Sequence, residues 1–235
     1  MPVLYTLGMN TQSVRKKRVY AGRSHASRAS ERRSAFITAA LDIIGTEGYA
    51  GATVRALCKQ AGFTDRYFYE MFGHTENLLL ILHDQVAGEL LGSLKGAIST
   101  ADPDFSKRVT AATAAFYRFI RDERKARILM FETVGISEEI TAHTFRAHVK
   151  IGSVFASVAP DIVDENTAGE DAFLRDGSEE VILFGIGLLG TISMPAGAWI
   201  MGTKERSEAD MIRTASSMMF GAIQNFRTDR DGTRK

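Results

Sequence analysis

The sequence predicts an all-α chain of about nine helices, on three observations. Apolar residues recur at helical spacing along most of the chain, no run alternates apolar and polar residues between turn signals, and helix-starting and helix-ending residues punctuate the periodic stretches. At 235 residues, 45% apolar and 24% charged, the composition is that of a globular protein with room for one or two packed units. The expected division is a flexible basic arm (1–30), a small helical domain (31–77), a larger helical domain (78–228) and a short tail (229–235).

In order, residues 1–30 are polar, rich in Ser and Arg and without apolar periodicity, which reads as an arm. Phe36, Ile37, Ala40, Leu41 and Ile44 mark one face of a first helix that starts near Ser30-Glu31 and ends at Gly48. Thr53 is placed to cap a second helix, Val54 to Ala61, and Thr64 a third, Asp65 to Phe72, with Gly62 and Gly73 as breaks. Thr75 opens a long helix to about Ile98, with Leu78, Leu79, Leu82, Val86, Leu90 and Leu94 near one stripe. Further helices are expected over 105–121, 124–133, 137–158, 178–202 and 207–226, with 160–177 a loop.

The net charge of +1 is unevenly spread. Residues 1–34 hold eight cations and one anion, a net +7, which leaves −6 for the rest. A basic arm on a mildly acidic body suits contact with a polyanion, although a solvated tail has the same composition. Cys58 is the only cysteine, so no intrachain disulfide or four-cysteine zinc site forms, and a reducing cytoplasm fits best. The first twenty residues lack the apolar run of a secretory signal.

Three short helices with a glycine turn between the second and third outline a helix-turn-helix. With Val54 as position one, the fifth residue is Cys58, small enough for the third helix to pack over it. The ninth is Gly62, where the turn needs a positive φ. Leu57, Ala61, Phe63, Phe68 and Met71 fall where the two helices must join. The stretch from Arg33-Ser34-Ala35-Phe36 through Glu47-Gly48-Tyr49 and Ala61-Gly62-Phe63-Thr64-Asp65-Arg66-Tyr67-Phe68-Tyr69-Glu70-Met71-Phe72 resembles the DNA-binding domain of the tetracycline-repressor (TetR) family over about residues 33–82.

That resemblance implies a three-helix DNA-binding domain on a helical ligand domain, paired as a homodimer on a palindromic double-stranded operator and released by a small-molecule effector. It places Thr53 and Arg55 beside phosphates, and Thr64, Asp65, Arg66 and Tyr67 at the major groove. Tyr69 reaches a phosphate through its hydroxyl. Where the family usually has Lys, this chain has Thr75, so His74 and Thr75 are expected to take over that phosphate contact. Arg66 is the favoured base reader, since a guanidinium can donate two bonds to guanine, with phosphate positioning as the other role open to it. Asp65 either accepts from cytosine or, as favoured, stabilises its own helix N-terminus. Deleting residues 1–28 is expected to weaken operator binding and flatten its dependence on salt, because each phosphate contact adds about one unit to the salt slope. An unchanged slope removes the arm from the interface.

Residues 181–203 carry no charged side chain over 23 positions, long enough to span a bilayer. Five glycines and Pro195 argue instead for a buried interface helix, and no membrane is expected. The resemblance implies that 178–202 and 207–226 pair across a dimer axis, with Gly187, Gly190, Met211, Met218, Met219 and Phe226 as contacts. Gly185-x-Gly187-x-x-Gly190 matches a dinucleotide fingerprint but lacks the second strand that motif requires. Glu139 and His143 are four apart, and His148 lies on another face. Such isolated pairs are usually not ligands, so no metal is expected, nor any cofactor. No nucleophile has supporting context, so no enzyme is expected. Phe116, Phe119, Met130, Phe131, Phe145, Phe155, Met194 and Trp199 are the candidate lining of an effector pocket, which favours a lipophilic or aromatic effector. The competing functions are a regulator of the same fold controlled by a protein partner, and a helical lipid or ligand carrier with no DNA role.

Overall fold

A computed structural model describes residues 25–162, 179–202 and 205–233. Among these residues there are nine α-helices and no strand. They are α1 (His25–Glu47), α2 (Val54–Ala61), α3 (Asp65–Phe72), α4 (Thr75–Thr100), α5 (Phe105–Phe119), α6 (Glu123–Met130), α7 (Glu138–Ala156), α8 (Glu179–Met201) and α9 (Glu208–Thr233), with a 3-10 turn at Tyr49–Gly51.

Two boundaries differ from the sequence reading by about five residues or more, and α6 ends at Met130, short of the expected Thr133. Helix α1 already runs from His25, so residues 25–30, expected in the arm, are helical. Helix α9 runs seven residues past Phe226 to Thr233. Both extensions are stretches without proline, and nothing in the α1 extension breaks a helix. The rest of the arm and residues 163–177 of the expected loop 160–177 lie outside the described residues.

Local chemistry sets the helix starts. Thr53 Oγ1 accepts from Ala56 N–H, Asp104 from Lys107 N–H and Ser137 Oγ from Ile140 N–H, each satisfying a donor in its helix's first turn. The N-terminal unit is built on Phe36, fully buried in α1, whose ring meets those of Phe63, Phe68 and Phe72 at 5.7–6.0 Å. Helix α4 leaves this unit and runs into the larger one, burying the stripe Leu78, Leu79, Leu82, Val86, Leu90 and Leu94. There it packs on α5 and α7, while α8 packs between α7 and α9. Helix α6 lies against α1.

Among the described residues, α8 alone is long and apolar enough to cross a membrane. One of its faces is buried against protein through Val181, Gly185, Leu188, Leu189, Ile192, Ala196 and Gly197. Pro195 sits inside the helix without ending it.

Candidate nucleic-acid interface and effector cavity

The turn between α2 and α3 has the geometry its spacing demands. Gly62 sits at φ 74°, ψ 26°, the left-handed conformation a side chain resists, and its N–H donates to Cys58 O. Leu57 and Phe68 are fully buried where the two helices meet. Cys58 is half-buried beneath α3. Burial, and then the nearby Asp65 carboxylate, push its thiol pKa up, which makes it a packing group and not a nucleophile.

The outward edge of this unit carries most of the expected DNA contacts. Thr53, Arg55, Thr64, Asp65, Arg66, Tyr69 and His74 are all exposed. Thr64 makes no side-chain capping bond, so its exposed hydroxyl is not committed to its own helix. Asp65 Oδ1 accepts from the Arg66 backbone N–H at 2.9 Å, which ties it to its own helix start. The Arg66 guanidinium donates to Glu70 at 2.8 Å with 82% of its side chain exposed. An exposed ion pair of this spacing is weak, so it does not hold the guanidinium back from another acceptor. Tyr69 is 56% exposed.

Tyr67 and Thr75 are placed differently from the expectation. Tyr67 is half-buried, its ring edge-on to Phe63 and capped by the Arg32 guanidinium at 4.5 Å, so the ring serves the packing of α3 on α1. The Thr75 hydroxyl bonds the Tyr49 hydroxyl at 3.0 Å, within the protein. His74 caps α4 instead: its Nδ1 accepts from Asn77 N–H at 3.3 Å. In the neutral ring that leaves Nε2 carrying the hydrogen, a donor at the helix N-terminus where a phosphate sits well.

The larger unit holds an apolar cavity of about 540 Å³, open to solvent on the side of Met194 and Met201. Five helices wall it: α4 gives Leu90, α5 Phe116 with Ile120 just beyond, α6 Leu129 and Met130 with Phe131 just beyond, and α7 His148 and Ile151. One face of α8 closes it, where Gly190, Ser193, Gly197 and Ala198 leave the space that larger residues would fill. Of the eight expected lining residues, Phe116, Met130, Phe131 and Met194 are on this wall. The other four are not. Phe155 is fully buried against Phe116, Phe119 lies under the Lys125 ammonium at 5.2 Å, and Phe145 is 55% exposed beside a separate depression. Trp199 donates its indole N–H to Arg206 O at 2.9 Å. His148 and Ser193 are polar groups on the wall that the sequence reading did not select. Burial pushes the His148 pKa down, opposed by its hydrogen bond to the Leu129 carbonyl, so the ring is neutral at neutral pH.

The expected dimer contacts also divide. Met211 and Met219 are buried within the chain's own core, so they are not free for a partner. Phe226 stacks on Phe184 at 3.9 Å, and Gly190 lies on the cavity wall. Gly187 and Met218 are exposed, together with Leu183, Met194 and Met201. His143 pairs across the fold with Asp84 at 2.7 Å, and not with Glu139 on its own helix.

Residues 36–82 match the sequence profile described as bacterial regulatory proteins, tetR family. The helix-turn-helix unit is thus a tetR-family DNA-binding domain. With the helices that follow it, the chain has the all-α fold of that family's solved members, an N-terminal helix-turn-helix domain on a helical body. A relative, the HTH-type transcriptional activator FasR of Mycolicibacterium smegmatis, is 26% identical over 140 residues, a match that spans 59% of this chain and 62% of the relative. In fold, the chain resembles the transcriptional regulator FadR from Bacillus subtilis, solved in complex with stearoyl-CoA, at 16% identity and TM-score 0.65, covering 79% of this chain and 96% of that one. It also resembles a transcriptional regulator from Pseudomonas aeruginosa PAO1 at 18% identity and TM-score 0.66, covering 86% and 100%.

Proposed function

We propose that this regulator binds a palindromic operator as a homodimer, in the cytoplasm and without enzymatic activity, and leaves DNA as a repressor when an apolar effector fills the α4–α8 cavity. The exposed leading edge of α3, with Thr64, Asp65, Arg66 and Tyr69 facing solvent, carries the reading. The cavity supports a lipophilic effector, its wall being apolar apart from His148 and Ser193. The FadR structure resembling this chain holds stearoyl-CoA, which favours a fatty-acyl compound over a polar one. Homodimerisation is supported by the exposed apolar row Leu183, Gly187, Met194 and Met201 along α8, with Met218 on α9. An apolar row of this kind on a globular protein marks a surface that another protein covers.

The test is binding to the promoter region upstream of the chain's own coding sequence. Arg66→Ala is expected to weaken that binding by about 1–3 kcal/mol, roughly 5- to 150-fold, and to relax preference at one base pair. Tyr69→Phe is expected to cost less and uniformly across sequences, as loss of a phosphate contact does. Duplex affinity unchanged in both variants removes α3 from the interface. A second reading, activation, is favoured by the relative FasR, a transcriptional activator. A fall in promoter output on deleting the regulator, instead of a rise, selects it.

A further inference from the structure

The geometry points to a divalent transition-metal site between α4 and α7, formed by His83, Asp84 and His143. Their ligand atoms, one from each residue, all lie within 4.8 Å of one another. His143 Nε2 is 2.7 Å from Asp84 Oδ1, and the His83 ring meets the His143 ring edge-on at 5.9 Å. His83 supplies the second, independent observation. It is fully buried, and neither of its ring nitrogens has a hydrogen-bond partner. A fold rarely leaves both nitrogens of a buried imidazole unsatisfied without a function for them.

In a tetrahedral site donors about 2.1 Å from the ion lie about 3.4 Å apart, so side-chain rotations that move the widest pair together by roughly an ångström close this set. Two imidazoles and one carboxylate suit Zn²⁺ or Co²⁺, whereas Ca²⁺ and Mg²⁺ take oxygen ligands. The exposed side of Asp84 leaves a fourth position for water. The residues come from adjacent positions on α4 and from a helix 59 residues further along the chain. An ion there fastens α4, whose first turn follows the recognition helix, to α7 in the cavity wall.

The experiment titrates the full chain, stripped with a chelator, with Co²⁺. The expected result is one Co²⁺ per chain with ligand-field absorption in the visible, displaced by Zn²⁺, and a higher thermal midpoint in the loaded protein. His143→Ala and Asp84→Asn are chosen because both side chains are partly solvent-accessible, so helix content should hold. Each is expected to weaken binding at least about tenfold. Cys58→Ser is expected to leave it unchanged. Three results overturn the site: no stoichiometric absorption in the unaltered chain, wild-type affinity in both His143→Ala and Asp84→Asn, or loss of binding in Cys58→Ser.

Discussion

Replacing Gly152 by alanine is expected to destabilise the chain by about 3 kcal/mol, the upper end of what overpacking costs. A Cβ on Gly152 would lie 2.5 Å from Gly185 O and 2.6 Å from the Gly185 carbonyl carbon. Both are backbone atoms of α8, and no side-chain rotation moves them away. Helices α7 and α8 must separate, and theirs is the broadest helix pairing among the described residues. Separation exposes the face of α8 that buries Val181, Leu188, Leu189 and Ile192. Alanine's better helix propensity returns only about 0.5–1 kcal/mol. Gly187 is the control, on α8 two residues beyond Gly185, where an added Cβ meets nothing within 4 Å. Gly187→Ala is expected to stabilise the isolated chain by about 0.5–1 kcal/mol. Urea unfolding at constant m-value measures both. Equal midpoints for the two variants contradict the close-approach argument.

How much of this is legible in the sequence depends on how local its cause is. The helix-turn-helix can be read because its determinants sit within about twenty residues. Thr53 caps, Gly62 turns, and Leu57 and Phe68 pack, whatever the rest of the chain does. The start of α1 is harder to place, because residues 25–30 contain nothing that ends a helix. The cavity is set by how five helices meet. Phe116 and Phe155 are chemically alike and touch each other, yet only Phe116 reaches the wall. On α9 a rotation of about 100° separates Met219, fully buried, from Met218, exposed, and composition cannot choose between them. The α8 wall did leave a trace, since Gly190, Ser193 and Gly197 recur every three or four residues, as small residues lining a void do. His83 left none, because the groups that explain it come together only when α4 and α7 pack.

Arg124→Ala is expected to disconnect effector binding from DNA binding, under the proposed function, while leaving each nearly intact. Helix α6 has eight residues, about 12 Å, too short to bend much. Its C-terminal residues Leu129 and Met130 are cavity wall. Its N-terminal half is docked on α1 of the DNA-binding unit. Arg124 Nη1 donates to Asp42 at 2.6 Å while a second arm of the same guanidinium holds Asp122, keeping the Asp122 carboxyl below the usual carboxylate range. Arg127 donates to Thr46 O at 3.0 Å, and Glu132 accepts from Tyr49 N–H at 2.7 Å. Tyr49 in turn bonds Thr75 beside the His74 cap. Gly45 lets the two helices approach this closely, since a Cβ there would overlap the Arg124 side chain. An effector that shifts α6 must therefore shift α1 as well, or break these contacts. Coupling between two sites is typically 1–3 kcal/mol, and it is reciprocal: operator DNA weakens effector binding by the factor that effector weakens operator binding. With stearoyl-CoA as the probe, Arg124→Ala is expected to reduce that shared factor by roughly 5-fold or more. Operator affinity without effector is expected to change by less than about twofold, because Arg124 is on none of the exposed α3 positions and its pairs are partly solvent-exposed. An unchanged factor, measured from either side, shows that the signal does not pass through this junction.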